Sequence, residues 1–149
     1  LNYPNVKFDL VGSEDESLDA IPIEEVTSWS SHVNYCGATN DVRQYIEKCH
    51  VYVLPSYHEG LPRSTLEAMS MGRPVITTNA VGCKETVNDG ANGFMVPVGS
   101  ITKLAEKMVW FIENKDKIQK MGDESRRIIE DKFDVRKVNK EMLRILDIK

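Results

Sequence analysis

No stretch of this 149-residue chain approaches the ~18 consecutive apolar residues that a membrane-spanning helix needs, so the sequence reads as that of a soluble protein. Cysteine is scarce. Cys36, Cys49 and Cys83 are odd in number and widely separated, which fits reduced intracellular thiols better than a disulfide framework or a zinc site. There is no surplus of positive charge either. A net charge of −4 argues against a general nucleic-acid binder, although Arg43, Arg63, Arg73 and Lys84 remain available to meet phosphates locally. Val11-Gly12-Ser13 lacks the further glycines of a G-x-G-x-x-G turn, which argues against a nicotinamide dehydrogenase. The opening Leu1-Asn2-Tyr3-Pro4 has neither a signal-peptide pattern nor an initiator methionine, so the chain is expected to be part of a larger protein. With 41% hydrophobic residues, no repeat and no low-complexity linker, residues 1–149 are read as a single domain with a real core.

What is present is an alternation of strand and helix patterns. Val6 to Val11 reads as a strand ending at Gly12, followed by an acidic, turn-rich connection from Ser13 to Asp19. A helix is expected from Pro22 to about Ser30, a strand from His32 to Cys36, and a helix capped by Asn40 or Asp41 that runs to about Cys49. His50 to Leu54 is a short β-branched and aromatic run, the pattern of a central parallel strand buried on both faces. Pro74 to Thr78 reads as another strand, Lys84 to Val87 as a short helix, and Phe94 to Val98 as a last strand after the turns at Asp89-Gly90 and Asn92-Gly93. From Ile101 the period becomes helical, with Leu104, Met108, Phe111 and Ile112 on one face, and two more amphipathic segments follow. Strands separated by helices indicate an α/β fold, a doubly wound parallel sheet with a helical C-terminal region.

The chemistry concentrates in E-G-L-P-R-S-T-L-E, Glu59 to Glu67, between the His50–Leu54 strand and a helix expected to start near Pro62. Proline suits the first helical position because its missing N–H costs nothing there, and Gly72 suits the left-handed turn that ends the helix. Glu67 then sits in the second turn, with its carboxylate leaning back toward the loop that carries Glu59. Both acids would face the C-terminal edge of the sheet, where open α/β sheets bind ligands and where the free N–H groups of a helix start attract anions. A nucleotide joined to a sugar suits that mixture, since phosphates accept from N–H groups and hydroxyls donate to carboxylates. For an isolated pair of glutamates, a solvated helix residue and a loop residue favouring the positive helix end are the blander explanation.

Two longer segments, V-L-P-S-Y-H-E-G-L-P-R-S-T-L-E-A-M-S-M-G-R-P-V-I-T-T and G-C-K-E-T-V-N-D-G-A-N-G-F-M-V-P-V-G, occur in order. With them the chain, from about Asn5 to the last helix, resembles the C-terminal, donor-binding half of the family-four retaining glycosyltransferases. Those enzymes have the GT-B fold, two Rossmann-like domains, and the E-G-L-P-R variant is similar to bacterial transferases that assemble capsular, O-antigen or lipid-linked oligosaccharides.

The resemblance implies transfer of a sugar from a nucleoside-diphosphate sugar, with a UDP-sugar as the expected donor, to a glycan or polyprenyl-linked acceptor, with retention of anomeric configuration. By it Glu59 is the catalytic-site carboxylate against the donor-sugar hydroxyls and Glu67 binds the ribose. Gly60, Leu61, Arg63 and Ser64 would lie against sugar and phosphates, and Gly37-Ala38 would hold the base through the main chain. Val81-Gly82 and Lys84-Glu85 belong near the same edge. The leaving diphosphate would help to deprotonate the acceptor, and neither a metal nor a cofactor is implied. The complete enzyme would be cytoplasmic, peripheral at the inner membrane face if its acceptor is lipid-linked.

The sequence departs from the family pattern in two places. Many members have glycine where this chain has Pro62, so any N–H contact to the donor sugar there is absent. The family's domain also begins with a strand and a basic G-R…K-G segment, and none precedes Asn5. The fold is therefore expected to lack its first strand, leaving an unpaired gap in the sheet or inviting pairing from another chain, and to lack the N-terminal acceptor domain. This piece alone is expected to be inactive, and the segment from Lys132 to Leu146, which reaches the partner domain in such enzymes, to be partly undocked.

Three functions compete on the residues: the donor half of a glycosyltransferase, a glycoside hydrolase using Glu59 and Glu67 as its carboxyl pair, and a non-catalytic sugar-nucleotide-binding or interaction module. The hydrolase lacks any other sign of a glycan cleft. His58 reads as loop packing, His32 and His50 as strand-end residues, Trp29 and Trp110 as packing anchors, and Lys115 to Lys120 as a solvated helix face.

Overall fold

Among the described residues, strands alternate with helices or a 3-10 turn up to residue 96 and three helices follow, and each strand pairs in parallel, because the intervening segment returns the chain to the same end of the sheet before the next strand begins. The protein is described by a computed structural model that covers residues 3–14, 20–29 and 31–146. Its contacts divide it into two units, residues 1–48 and 49–149.

In the first unit, β1 (Phe8–Val11) pairs with β2 (Val33–Gly37), Phe8 opposite Val33 and Asp9 opposite Asn34. The register shifts between Leu10 and Val11, which places Val11 opposite Gly37. His32 fastens the start of β2 through a hydrogen bond of 2.9 Å between Nδ1 and the Val6 carbonyl, the strand-end role read for it. The helix expected from Pro22 to Ser30 forms as α1 (Ile23–Ser28), and its last hydroxyls bond back to helix carbonyls, Ser28 to Glu25 at 2.7 Å. The connection from residue 15 to residue 19, and Ser30, lie outside the described residues. The helix expected to reach Cys49 is only one turn, α2 (Arg43–Ile46), whose sole buried residue is Ile46. With no further apolar contact to gain, another turn has nothing to offset its ordering cost. Trp29 remains 40% exposed and is not the packing anchor expected of it.

The second unit holds β3 (Tyr52–Leu54), α3 (Arg63–Ser70), β4 (Val75–Thr78), a 3-10 turn over Cys83–Glu85 and β5 (Gly93–Val96). Then come α4 (Ile101–Glu113), α5 (Asp116–Lys132) and α6 (Val135–Ile145). Strand order is β3-β4-β5. The strand expected to be central, His50 to Leu54, is thus an edge of this sheet and only half-buried, whereas β4 is buried throughout. The sequence understated β4 because two of its four residues are threonines. Burial is possible since Thr77 donates to the Leu54 carbonyl at 2.9 Å and Thr78 to the Ser56 carbonyl, so neither hydroxyl is left unpaired.

Alternation along these strands feeds two cores. Ile76, Phe94 and Val96 pack with Phe111 and Met121 on one face, while Val75 packs with Met69, Val87 and Ile128 on the other. Trp110 joins the first core edge-on to Phe94, at 4.8 Å between ring centres, and is the packing anchor expected. α5 serves both cores, through Met121 and Ile128. It approaches α3 closely because Gly122 has no side chain, since a Cβ there would lie 2.1 Å from the Gly72 carbonyl oxygen. Gly72 itself ends α3 at φ +69° as expected, with the Gly72 N–H bonded to Met69 O and the Arg73 N–H to Ala68 O, each at 3.0 Å.

α6 is built differently. Asp134 caps it, accepting from the Arg136 N–H at 2.8 Å, and the same arginine's guanidinium and N–H hold the Asp134 carboxyl down at about 2. Its apolar residues, Val135, Val138, Met142, Leu143 and Ile145, are all exposed.

Candidate functional site

Parallel strands end on the same side of a sheet, so the loops after β3 and β4 emerge together at its C-terminal edge, with Leu54 opposite Thr77. The loop after β3 carries Glu59, Gly60 and Leu61 and leads into α3, and the loop after β4 carries Val81 and Gly82. A backbone bond of 3.2 Å from the Glu59 N–H to the Val81 carbonyl ties the two loops. Gly82 makes that approach possible. It lies at φ +81°, and a Cβ on it would sit 2.3 Å from the carbonyl oxygens of both Glu59 and Gly60.

The Glu59 side chain is half-buried and accepts a hydrogen bond of 2.8 Å from Ser56 Oγ, while the Ser56 carbonyl accepts from Thr78. The end of β4 thus positions Ser56, and Ser56 orients Glu59. Sequence reasoning missed this chain of contacts, for which the signal was the threonine pair ending an otherwise apolar strand.

Pro62 is the residue before the helix rather than its first member, with φ −70° and ψ 105°, and α3 begins at Arg63. No side chain caps α3, so its first N–H groups keep their anion-attracting character beside the Glu59 loop. Arg63 is exposed at the first helical position and Glu67 is exposed in the second turn. Ser64 is turned inward, its hydroxyl accepting from Tyr52 Oη at 2.7 Å. Burial pushes the Tyr52 phenol up, an effect the Ser64 hydrogen bond partly offsets. Leu61 is 44% exposed and Gly60 has open space around its Cα.

Glu59, Gly60, Leu61, Arg63, Ser64 and Glu67 therefore belong to one continuous loop and helix start of the second unit. Gly37 and Ala38 belong to the first unit, at the C-terminal end of β2, where Gly37 takes φ +72° and its carbonyl accepts from the Gly12 N–H at 3.0 Å. Two clefts are evident. One, of about 540 Å³, lies at the far end of α3 between Ser70 and Arg126, and one of about 320 Å³ lies in the first unit between Leu10 and Tyr35. Neither of these two is lined by Glu59 or Glu67, of which Glu59 is half-buried and Glu67 exposed.

Such an edge offers hydroxyl acceptors and anion donors together, and comparison with known proteins gives that chemistry a setting. A family model described as "Glycosyl transferases group 1" matches residues 1–114. An uncharacterized glycosyltransferase of Haemophilus influenzae is 33% identical over 83% of this chain and 35% of its own length. The N,N'-diacetylbacillosaminyl-diphospho-undecaprenol alpha-1,3-N-acetylgalactosaminyltransferase of Campylobacter jejuni is 32% identical over 72% of this chain and 28% of its own. The capsular polysaccharide biosynthesis glycosyltransferase CapM of Staphylococcus aureus is 30% identical over 83% of this chain and 33% of its own. The chain thus spans about a third of the length of the curated relatives it matches. Among solved structures, Anabaena Alr3699/HepE in complex with UDP superposes over 97% of this chain and 41% of its own, with a TM-score of 0.87 and 27% identity.

Proposed function

The chain belongs to the group 1 glycosyl transferase family, and on that premise we propose that it is the donor-binding portion of a retaining glycosyltransferase. The complete enzyme moves a sugar from a nucleoside-diphosphate sugar to a glycan or lipid-linked acceptor. The observation that carries this reading is Glu59, oriented by Ser56, beside the uncapped start of α3 with Glu67 one turn further on. It is supported by the likeness to Alr3699/HepE, which is known in complexes with UDP and with UDP-glucose.

In this reading Glu67 accepts from the ribose hydroxyls and Glu59 from hydroxyls of the donor sugar, each through charge-assisted hydrogen bonds. The free N–H groups and Arg63 at the start of α3 meet the diphosphate, with Gly60, Leu61 and Ser64 forming the adjoining wall. The acceptor oxygen bonds to the anomeric carbon as the bond from that carbon to the diphosphate oxygen breaks. The electron pair leaves with the diphosphate, which also takes up the acceptor's proton. Electrostatic stabilisation of that leaving group is the main task of this part of the protein.

The acceptor site of such an enzyme would lie outside the third of the curated relatives' length that this chain matches. No helix among the described residues is long and apolar enough to cross a membrane. The Campylobacter relative acts, by its name, on a diphospho-undecaprenol acceptor. A similar acceptor here places a cytoplasmic enzyme at the inner membrane face. A second reading, a sugar-nucleotide-binding module without turnover, draws on the exposure of Glu67 and on neither carboxylate lining the clefts at Ser70–Arg126 or Leu10–Tyr35.

Calorimetric titration with UDP, UDP-N-acetylhexosamines and GDP-mannose tests the assignment. Selective binding of one nucleotide, weakened about tenfold or more by Glu67→Ala, is the expected result. Equal affinity of the Glu67→Ala variant overturns the role of Glu67.

A further inference from the structure

Cations of the second unit are for the most part engaged by neighbours: Lys103 by Glu106 at 2.7 Å, Arg126 by Glu130 at 2.6 Å, Arg127 by Glu124 at 2.6 Å. Lys84 is an exception. It is exposed, and among the described residues its ammonium makes no ion pair, hydrogen bond or ring contact. Its place is fixed nonetheless. The 3-10 turn over Cys83–Glu85 sends successive side chains about 120° apart. Cys83 is fully buried, and the Glu85 side chain turns toward Lys132, its Oε2 lying 3.7 Å from Lys132 Nζ. Lys84 takes the third direction. It follows by two residues the glycine whose Cα presses on the Glu59 and Gly60 carbonyls, so the turn sets the Lys84 backbone two residues from the contact between the two loops, within a lysine side chain's reach of the Glu59 loop.

The charge balance of the site calls for such a group. Glu59 and Glu67 bring two negative charges to the edge where a diphosphate is to bind. Against them stand Arg63 and the partial positive charge of one helix start, roughly half a unit. A diphosphate adds further negative charge, and like charges within a few ångströms repel unless a cation intervenes.

We propose that Lys84 is a phosphate-binding residue of this site, its ammonium taking a phosphate oxygen of the ligand held beside Glu59. The proposal rests on the donor-site reading above, and the phosphate belongs either to the donor nucleotide or to a phosphorylated acceptor.

The test compares the full chain with its Lys84→Gln, Glu67→Ala and Lys120→Gln variants in titrations with UDP, uridine and inorganic pyrophosphate at two ionic strengths. The expected result is a loss of roughly tenfold in UDP affinity for Lys84→Gln, with uridine unaffected and a flatter salt dependence. Lys120→Gln, on the exposed face of α5, binds as the parent does. If Lys84→Gln spares UDP but abolishes pyrophosphate binding to the UDP-saturated protein, the phosphate is the acceptor's and the residue's role stands. Glu67-dependent UDP binding with neither UDP nor pyrophosphate sensitive to Lys84→Gln overturns the proposal and leaves the donor site intact. Pyrophosphate binding that depends on Lys84 without UDP binding removes the donor reading alone. Binding of none of the three ligands removes both.

Discussion

The two units use β-strands in opposite ways. β4 of the second unit is buried along its whole length and feeds a core on each face, whereas β1 of the first unit leaves Phe8 38% and Leu10 37% exposed. Two paired strands with exposed apolar side chains are marginal on their own, while three strands covered on both faces by helices are not. The second unit therefore holds its loop edge rigidly from its own core, and the residues with proposed roles toward sugar and phosphate are all in that unit.

Truncation in the two strands is the sharpest way to break this contrast. Ile76→Ala removes a fully buried side chain from between β5 and α4, and is expected to cost about 3 kcal/mol in urea unfolding of the second unit. Leu10→Ala, at a site already more than a third exposed, is expected to cost less than ~1 kcal/mol. Equal losses would mean that β1 is as well supported as β4.

Gly82→Ala probes the link from core to site. The left-handed φ and the meeting with two carbonyl oxygens together predict a loss of about 2 kcal/mol or a displaced Glu59 loop, with UDP affinity falling in either case. An unchanged Tm and affinity would show that the two loops are not held together as described.

The smallest effect is expected at Tyr52. Tyr52→Phe removes the hydrogen bond to Ser64 and should cost about 1 kcal/mol at neutral pH. Burial raises the Tyr52 phenol in the folded state, so its contribution is fully present below the unfolded value of 10.0 and is lost as pH rises through the folded one. Parent and variant stabilities should therefore converge in alkaline titration, and parallel pH profiles would contradict that assignment.

Legibility in the sequence followed the range of the forces involved. The stop of α3 was readable because Gly72 acts through its own backbone angles, and the start only to within one residue, since Pro62 precedes the helix instead of opening it. The packing role of Trp110 was readable because helical period alone places it on an apolar face. The prominence of β4 was not, since Thr77 and Thr78 look polar until Leu54 and Ser56 supply acceptors more than twenty residues away. α2 was overestimated for the converse reason, that a good cap at Asp41 does not extend a helix whose later residues find no core.

By itself the sequence determined the parallel alternation of strand and helix, the placing of Glu59 in a loop and Glu67 in the second turn of a helix, and membership of a glycosyl transferase family. Propensity, periodicity and motif spacing are written into neighbouring residues. Only the tertiary structure decided that Ser56 orients Glu59, that Gly82 lets the second loop lie against the first, and that Lys84, two residues beyond Gly82, forms no ion pair among the described residues. Each of those depends on which atoms meet across the sheet edge, and the closeness of that meeting is set by core packing on both faces of β4 together with the missing side chain of Gly82.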